Sequence, residues 1–80
     1  MRLDKWLKVS RLIKRRTVAQ EACDGGHVSV NGTPAKPSRE VKTGDIVEIA
    51  FGARTLRAEI LSVQETVRKD DAAAMYRELV

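Results

Sequence analysis

The sequence has only one cysteine and one histidine in 80 residues. A single cysteine cannot form an intrachain disulfide, and one cysteine with one histidine cannot complete a zinc site of the usual kind. No apolar run approaches the roughly 20 residues that a helix needs to cross a bilayer. These absences argue against a disulfide-stabilised secreted protein, a metalloprotein and a membrane-spanning chain. We therefore expect a cytoplasmic location and a small core residue at Cys23.

The chain also lacks the motifs of common catalytic sites. Gly25-Gly26 is not followed by Lys-Ser/Thr and does not lie between a strand and a helix, as a phosphate-binding loop would require. Acidic residues are scattered, so no pair of carboxylates is evident for acid–base chemistry. A chain this short also offers no obvious deep pocket. We expect a protein that is not an enzyme, with no catalytic residue, no cofactor and no bound metal.

Acidic residues are nearly absent from the first twenty positions, where Asp4 is the one acid. The basic side chains there are Arg2, Lys5, Lys8, Arg11, Lys14, Arg15 and Arg16. This segment has a formal charge of +6 while the whole chain has +4, so residues 21–80 sum to −2. Such a concentrated positive charge attracts a polyanion, and phosphate backbones are the commonest large polyanions.

A solvated helix face is the alternative explanation for this basic segment. Ordinary solvated faces mix acids with bases because opposite charges one turn apart stabilise a helix. Cations at a helix N-terminus oppose its dipole, so stability alone does not explain Arg15 and Arg16, whereas a bound anion would. If helical phase persists, Lys8, Arg11 and Arg15 form one stripe. We favour nucleic-acid binding; a membrane surface is less favoured because the apolar face is needed for the core.

Apolar spacing predicts two helices in this segment. For the first, apolar residues have helical spacing over residues 3–12, but we expect Ser10 and the residues after it to interrupt the helix. Trp6 lies on this helix, and a core position for it is favoured over stacking on a base. The second runs from Lys14 or Arg15 to Asp24, where the glycine pair ends it. The side chains expected to be buried on the second helix are Val18, Ala19, Ala22 and Cys23.

Short strands and a last helix are predicted for the rest of the chain. Asn31-Gly32 is a strong signal for a two-residue hairpin. The strands are expected at residues 27–30, 33–36, 46–51 and 55–63. Asp70 or Asp71 is expected to cap a final helix that runs through Leu79. The fold class is therefore α+β, with two N-terminal helices packed on a small, mainly antiparallel sheet of four or five strands and a short C-terminal helix.

Five segments together resemble the S-four RNA-binding domain, which is built on the alpha-L motif. They span about residues 1–50 in order, and they are Arg2–Leu7, Arg11–Ala19, Gly26–Gly32, Pro37–Ser38 and Val41–Asp45. The resemblance implies that RNA is held by the helix pair and the adjoining hairpin. It also implies one RNA-binding domain over residues 1–80, with the alpha-L core over about 1–50 and an extra strand and helix over about 51–80.

Over nearly its full length the chain is similar to the stand-alone bacterial branch of that family. This branch contains the fifteen-kilodalton heat-shock protein and the RqcP-type ribosome quality control factors. The likeness to the RqcP type lies in Met1–Lys5, Lys8–Thr17 and Ala73–Tyr76, although many family members have serine at the position of Arg15.

This likeness implies binding to large ribosomal subunits that are obstructed by peptidyl-tRNA, with contacts to rRNA and tRNA. It also implies support for the alanine tailing of stalled chains by a partner, RqcH. We expect a monomer. A general rRNA-binding heat-shock, recycling or assembly factor without a tailing role stays open, as does a DNA-binding or protein-interaction module.

The resemblance makes Arg2 and Arg16 the expected essential RNA contacts. The cations expected to support them are Arg11, Arg15, Lys5, Lys8, Lys14 and Lys36. Asp4 is expected to orient an arginine or cap the first helix rather than touch RNA. His27 is expected to be a surface residue.

Overall fold

A five-stranded antiparallel sheet in the order β2-β1-β3-β4-β5 organises the computed structural model, which describes residues 1–79. Two helices precede the sheet, and a 3₁₀ helix lies before the last strand. In chain order the elements are α1 (Leu3–Val9), α2 (Arg16–Asp24), β1 (Val28–Val30), β2 (Thr33–Pro34), β3 (Ile46–Phe51), β4 (Arg54–Ile60), the 3₁₀ helix (Lys69–Met75) and β5 (Tyr76–Leu79). The predicted α+β class is confirmed.

The core lies between the two helices and one face of the sheet. Alternating side chains on the strands point inward because successive residues of a strand face opposite sides, and Val30, Val47 and Ala58 lie side by side in register. Trp6 is 0% exposed, and its indole Nε1 donates to the Ser62 carbonyl at 3.0 Å. The core position predicted for Trp6 is therefore confirmed, as is that of Cys23, which is buried.

The first helix ends at Val9, which confirms the interruption predicted from Ser10 onward. Ser10 is its C-cap, and Arg11 follows with a φ of +62°, which no residue of a right-handed helix adopts. The single stripe of Lys8, Arg11 and Arg15 is therefore wrong, because helical phase is lost between them. The second helix begins at Arg16, with Arg15 extended as its N-cap.

The burial predicted for the second helix is wrong at one position. Ala19 and Cys23, one turn apart, are buried, whereas Val18 is 46% exposed. The inward stripe of this helix is thus narrower than predicted, and Val18 lies beside it. After the helix, Gly26 has a φ of +78°, which confirms the glycine stop predicted there.

The Asn31-Gly32 hairpin is confirmed. Both residues have positive φ, at +51° and +84°, as the type of turn that matches strand twist requires. The Asn31 side chain also accepts a hydrogen bond from the Ile46 amide at 2.9 Å, which ties the turn to the start of β3. The return strand stops at Pro34, two residues before the predicted end at Lys36.

The predicted C-terminal helix through Leu79 is wrong in its second half. Residues Tyr76–Leu79 form β5, which pairs with the outer edge of β4 from Ile60↔Tyr76 to Arg57↔Leu79. The open edge of β4 supplies backbone hydrogen bonds that override a local helical preference. β4 itself ends at Ile60 rather than Val63, because the amides of the next two residues both donate to the Met75 carbonyl.

Candidate nucleic-acid interface

The buried carboxylate of Asp4 is the centre of a hydrogen-bond cluster that joins the two helices. Its Oδ1 accepts from the Arg2 Nε at 3.2 Å and from the Lys5 backbone amide at 2.8 Å. Its Oδ2 accepts from the Arg2 Nη2 at 3.2 Å, the Arg16 Nε at 3.3 Å and the Gln20 Nε2 at 3.0 Å. Asp4 therefore orients both arginines, which agrees with the role expected for it.

The Asp4 carboxyl is kept ionised by these donors. Burial alone would raise its pKa, since removing water disfavours the charged form. The hydrogen bonds from Gln20, Arg2, Arg16 and the Lys5 amide outweigh that effect, so the pKa of Asp4 lies below its ordinary value. The cluster thus holds two guanidinium groups on one fixed negative charge at neutral pH.

Each arginine is anchored on one side and open to solvent on the other. Asp4 is 0% exposed, whereas the side chains of Arg2 and Arg16 are 47% and 43% exposed. The backbone of Arg2 is fixed by a bridge to Glu40, and Arg16 is the first residue of α2. Because a guanidinium has five N–H groups, three on Arg2 and four on Arg16 have no hydrogen-bond partner among residues 1–79. These donors suit a phosphate oxygen, which guanidinium forks bind well.

A second group of cations lines a cleft beside the end of α1. The cleft has a volume of about 590 Å³ and is lined by the last turn of α1, by the chain between the two helices and by residues 65–69. Its lining residues are Lys8, Val9, Arg11, Lys14, Glu65, Thr66, Val67 and Lys69. The structure therefore brings three of the predicted cations, Lys8, Arg11 and Lys14, together with a fourth from the C-terminal part.

The remaining predicted cations lie elsewhere. Lys5 forms an ion pair with Glu65, and this contact lowers the pKa of the Glu65 carboxyl. Arg15 is exposed at the start of α2. Lys36 lines a different depression, beside Cys23 and Pro34 at the edge of the sheet. The structure thus does not bring Lys36 to the cleft, and its contact with RNA stays a prediction.

Three residues of these clusters were missed from the sequence, namely Gln20, Glu65 and Lys69. Gln20 follows Arg16 by one helical turn, a spacing that could have placed both on the face toward Asp4. Glu65 and Lys69 lie more than forty residues after the basic segment, and no local pattern connects them to it. Only the tertiary fold brings them to the cleft.

Two further features bear on the chemistry of the site. Burial, with the nearby Asp4 and Asp24 carboxylates, raises the pKa of the Cys23 thiol to about 11, so it is not a reactive nucleophile at neutral pH. His27 is exposed, as expected.

Within residues 1–79 no cluster of three or more His, Cys, Asp or Glu side chains could hold a metal ion. Over the same residues, no helix has the length and apolar character to span a membrane.

Comparisons with known proteins agree with the sequence resemblance. A family model described as "S4 domain" matches residues 1–47. The chain is 55% identical over 76 residues to the RQC P-site tRNA stabilizing factor of Halalkalibacterium halodurans, covering 95% of this chain and 86% of that protein. It is 50% identical over 76 residues to the protein of the same name in Bacillus subtilis, covering 95% and 88% respectively.

Among solved structures, the fold is similar to the trimeric structure of Heat Shock Protein 15 from Vibrio cholerae. The TM-score is 0.91 at 35% identity, covering 99% of this chain and 81% of that chain.

Proposed function

Because this chain belongs to the S4 domain family, and within it to the RQC P-site tRNA stabilizing factors, we propose that it is a non-enzymatic RNA-binding protein of ribosome-associated quality control. It binds large ribosomal subunits that are obstructed by peptidyl-tRNA and contacts both rRNA and the tRNA. It supports the alanine tailing of stalled chains by RqcH, and these partners imply a cytoplasmic location. The names of the relatives support the role in quality control and the contact with P-site tRNA.

The observation that carries this proposal is the pair of arginines fixed by Asp4. A guanidinium that is already oriented loses less conformational freedom when it binds a phosphate. Arg2 and Arg16 approach the same carboxylate from different elements, so their free N–H groups form one donor surface. The residues proposed to touch RNA are Arg2, Arg16, Arg11, Arg15, Lys5, Lys8, Lys14 and Lys36.

The start of α2 supports the same surface. Arg15 and Arg16 lie at its N-terminus, the first turn contains no acidic residue, and no side chain caps it. Two cations there are unfavourable for the helix alone because they lie at the positive end of its dipole. A phosphate placed against them reverses that interaction and accepts from the free backbone amides as well.

The opposite side of the molecule has a different character. The solvent face of the sheet carries ion pairs between neighbouring strands, Glu48 with Arg57 and Glu59 with Arg77. Such pairs bind polyanions weakly because the charge of each arginine is already offset by a glutamate. We infer that RNA binds the helical side, and we propose that the protein acts as a monomer.

Single arginine truncations test the proposal. Arg2→Ala and Arg16→Ala should each weaken binding to large subunits carrying P-site tRNA by about ten-fold or more, the effect of losing one charge-assisted hydrogen bond. Arg54→Ala, which removes an exposed arginine at the first residue of β4, is the matched control and should bind almost normally. Sedimentation with purified subunits measures this, and log affinity should fall with log salt at a slope near −5 if about six phosphates are contacted.

Two outcomes would overturn this proposal. The first is equal or stronger binding to empty small subunits. The second is a loss of folding in both arginine variants, which would make these residues structural; thermal unfolding should instead show a change below about 1 kcal/mol, because each variant leaves Asp4 with its other partners.

A second function is favoured by one observation, the structural similarity to Heat Shock Protein 15. On this alternative the protein is a general rRNA-binding heat-shock, recycling or assembly factor with no role in tailing. A deletion strain separates the two, since loss of alanine tails on stalled products supports the first function. Unchanged tails with altered subunit recycling would support the second.

A further inference from the structure

We propose that the cleft between the α1–α2 connection and residues 65–69 is a second RNA contact site, which holds a backbone phosphate. Lys69 is its fourth cation and lies outside the part of the chain that matches the S4 domain. This inference rests on the proposed function for its RNA ligand. It adds a phosphate-binding residue that the basic N-terminal segment does not contain.

The charge of the cleft favours an anion. Lys8, Arg11, Lys14 and Lys69 all line it, and Glu65 is the one acid that lines it among residues 1–79. Glu65 already has a partner in Lys5, so its charge is not free to offset the other cations. Four like charges around a concave surface repel one another and focus a positive potential into it. A bound phosphate relieves that repulsion.

The backbone of Arg11 gives independent support. Its φ of +62° places it in the left-handed region, at the position after the helix C-cap where glycine is preferred. Its amide donates to the Lys8 carbonyl at 3.1 Å, as in a glycine-terminated helix. An arginine in this conformation is sterically strained, whereas a glycine is not. Residues held in such conformations cluster at functional sites, and here the strain places a guanidinium in the cleft.

The lining indicates phosphate rather than a base. It consists of cations, Glu65, the Thr66 hydroxyl and two valines, and it includes no aromatic ring on which a base could stack. Its volume of about 590 Å³ falls within the range of sites that hold small ligands. A phosphate with its ribose therefore fits the cleft chemically and in size.

The wall that carries Lys69 is held in place by contacts with α1 and the core. Trp6 donates to the Ser62 carbonyl, Lys5 pairs with Glu65, and Val67 packs against the core cluster. These contacts lie on both sides of Thr66. Lys69 begins the 3₁₀ helix directly after this anchored stretch, so its position relative to α1 is fixed by the fold.

Lys69→Ala tests the proposal against a matched control. Arg68 is exposed and lies outside the cleft, so Arg68→Ala removes the same charge one residue away. Lys69→Ala should weaken binding to large subunits carrying P-site tRNA about five-fold at 0.15 M salt and reduce the magnitude of the salt slope by about 0.9, the effect of one lost phosphate contact. Arg68→Ala should change neither quantity measurably.

A second measurement tests whether the cleft binds an anion in the absence of the ribosome. Inorganic pyrophosphate is added to the ¹⁵N-labelled protein, and amide shifts are followed by NMR. Shifts should concentrate at Lys8, Arg11, Lys14, Thr66 and Lys69, and those shifts should shrink several-fold in Lys69→Ala. Shifts spread evenly over all exposed cations would overturn the proposal.

The two proposals fail in different ways. If Lys69→Ala binds subunits like Arg68→Ala while Arg2→Ala is defective, the cleft proposal is wrong and the proposed function stands. If the unmodified protein does not bind obstructed large subunits, the proposed function is wrong, and the pyrophosphate titration alone decides whether the cleft is an anion site.

Discussion

Replacing Arg11 by glycine should raise stability and lower RNA affinity at the same time. The structure predicts this combination because Arg11 has left-handed backbone geometry and a side chain that reaches the cleft. The conformation favours glycine, while the cleft favours a cation. A residue that served only to end α1 would show no loss of binding when glycine replaced it.

The size of each effect follows from general magnitudes. Removing the steric cost of the arginine side chain in the left-handed conformation raises the free energy of unfolding by about 1–2 kcal/mol. The greater freedom of glycine in the unfolded chain lowers it by about 0.5–1 kcal/mol. The net gain is about 0.5–1 kcal/mol, which for a domain of this size raises Tm by about 2–8 °C. Loss of one phosphate contact should weaken subunit binding about five-fold at 0.15 M salt.

Arg11→Ala is the control, because it removes the same charge and keeps the unfavourable backbone geometry. It should bind as weakly as Arg11→Gly but unfold close to the temperature of the unmodified protein. Thermal unfolding by circular dichroism and sedimentation with large subunits measure the two properties. A lower Tm for glycine than for alanine would refute the strain argument. Normal binding by both variants would refute the role of the side chain.

Three further predictions concern buried groups. Asp4→Asn should lower the free energy of unfolding by about 2 kcal/mol at pH 7, since charged hydrogen bonds are lost while the half-exposed arginines regain water. Because the folded pKa of Asp4 is below its ordinary value, its contribution is complete above the unfolded pKa and is lost as pH falls through the folded pKa. Urea unfolding of both proteins between pH 7 and about pH 2 should show the difference shrinking. Trp6→Phe should cost about 2–3 kcal/mol, from the unpaired Ser62 carbonyl and the space left by the smaller ring. It should leave RNA affinity unchanged well below the melting temperature; a large loss of affinity there would instead indicate base stacking. Cys23, with a pKa of about 11, is thiolate in about one molecule in ten thousand at pH 7, so iodoacetamide should label it only after denaturation. Rapid labelling of the folded protein would contradict its burial.

The parts of the fold that were predicted correctly depend on local chemistry. Asn31-Gly32 forms its turn because both residues tolerate positive φ, and Gly26 ends α2 for the same reason. The alternation of residues 46–51 gives β3 with the predicted bounds. The C-terminal strand was missed because Tyr76–Leu79 pairs with β4, and that pairing depends on an open edge created by the whole sheet.

The two clusters of the candidate site also differ in how far they could be predicted from the sequence. Asp4, Arg2 and Arg16 lie within one segment, and a lone acid among cations is a visible anomaly, so an orienting role could be predicted. The cleft could not be predicted, for two reasons. Its chain reversal depends on one residue, Arg11, whose left-handed conformation carries no signal in an arginine. Its other wall comes from residues 65–69, which reach it only in the folded chain.

The two clusters should contribute differently to RNA binding. Asp4 cancels one of the charges of Arg2 and Arg16, so together they add one net charge but offer seven free N–H groups in fixed directions. The cleft holds four cations, and the one acid in its lining already has a partner. Counterion release depends on the number of phosphates neutralised, so the cleft should supply a large share of the salt-dependent affinity. The arginine pair should supply orientation, because its donors can be satisfied only by a phosphate in the right place. Truncations in the cleft should therefore change mainly the salt slope, and truncations of Arg2 or Arg16 should change mainly the affinity that persists at high salt.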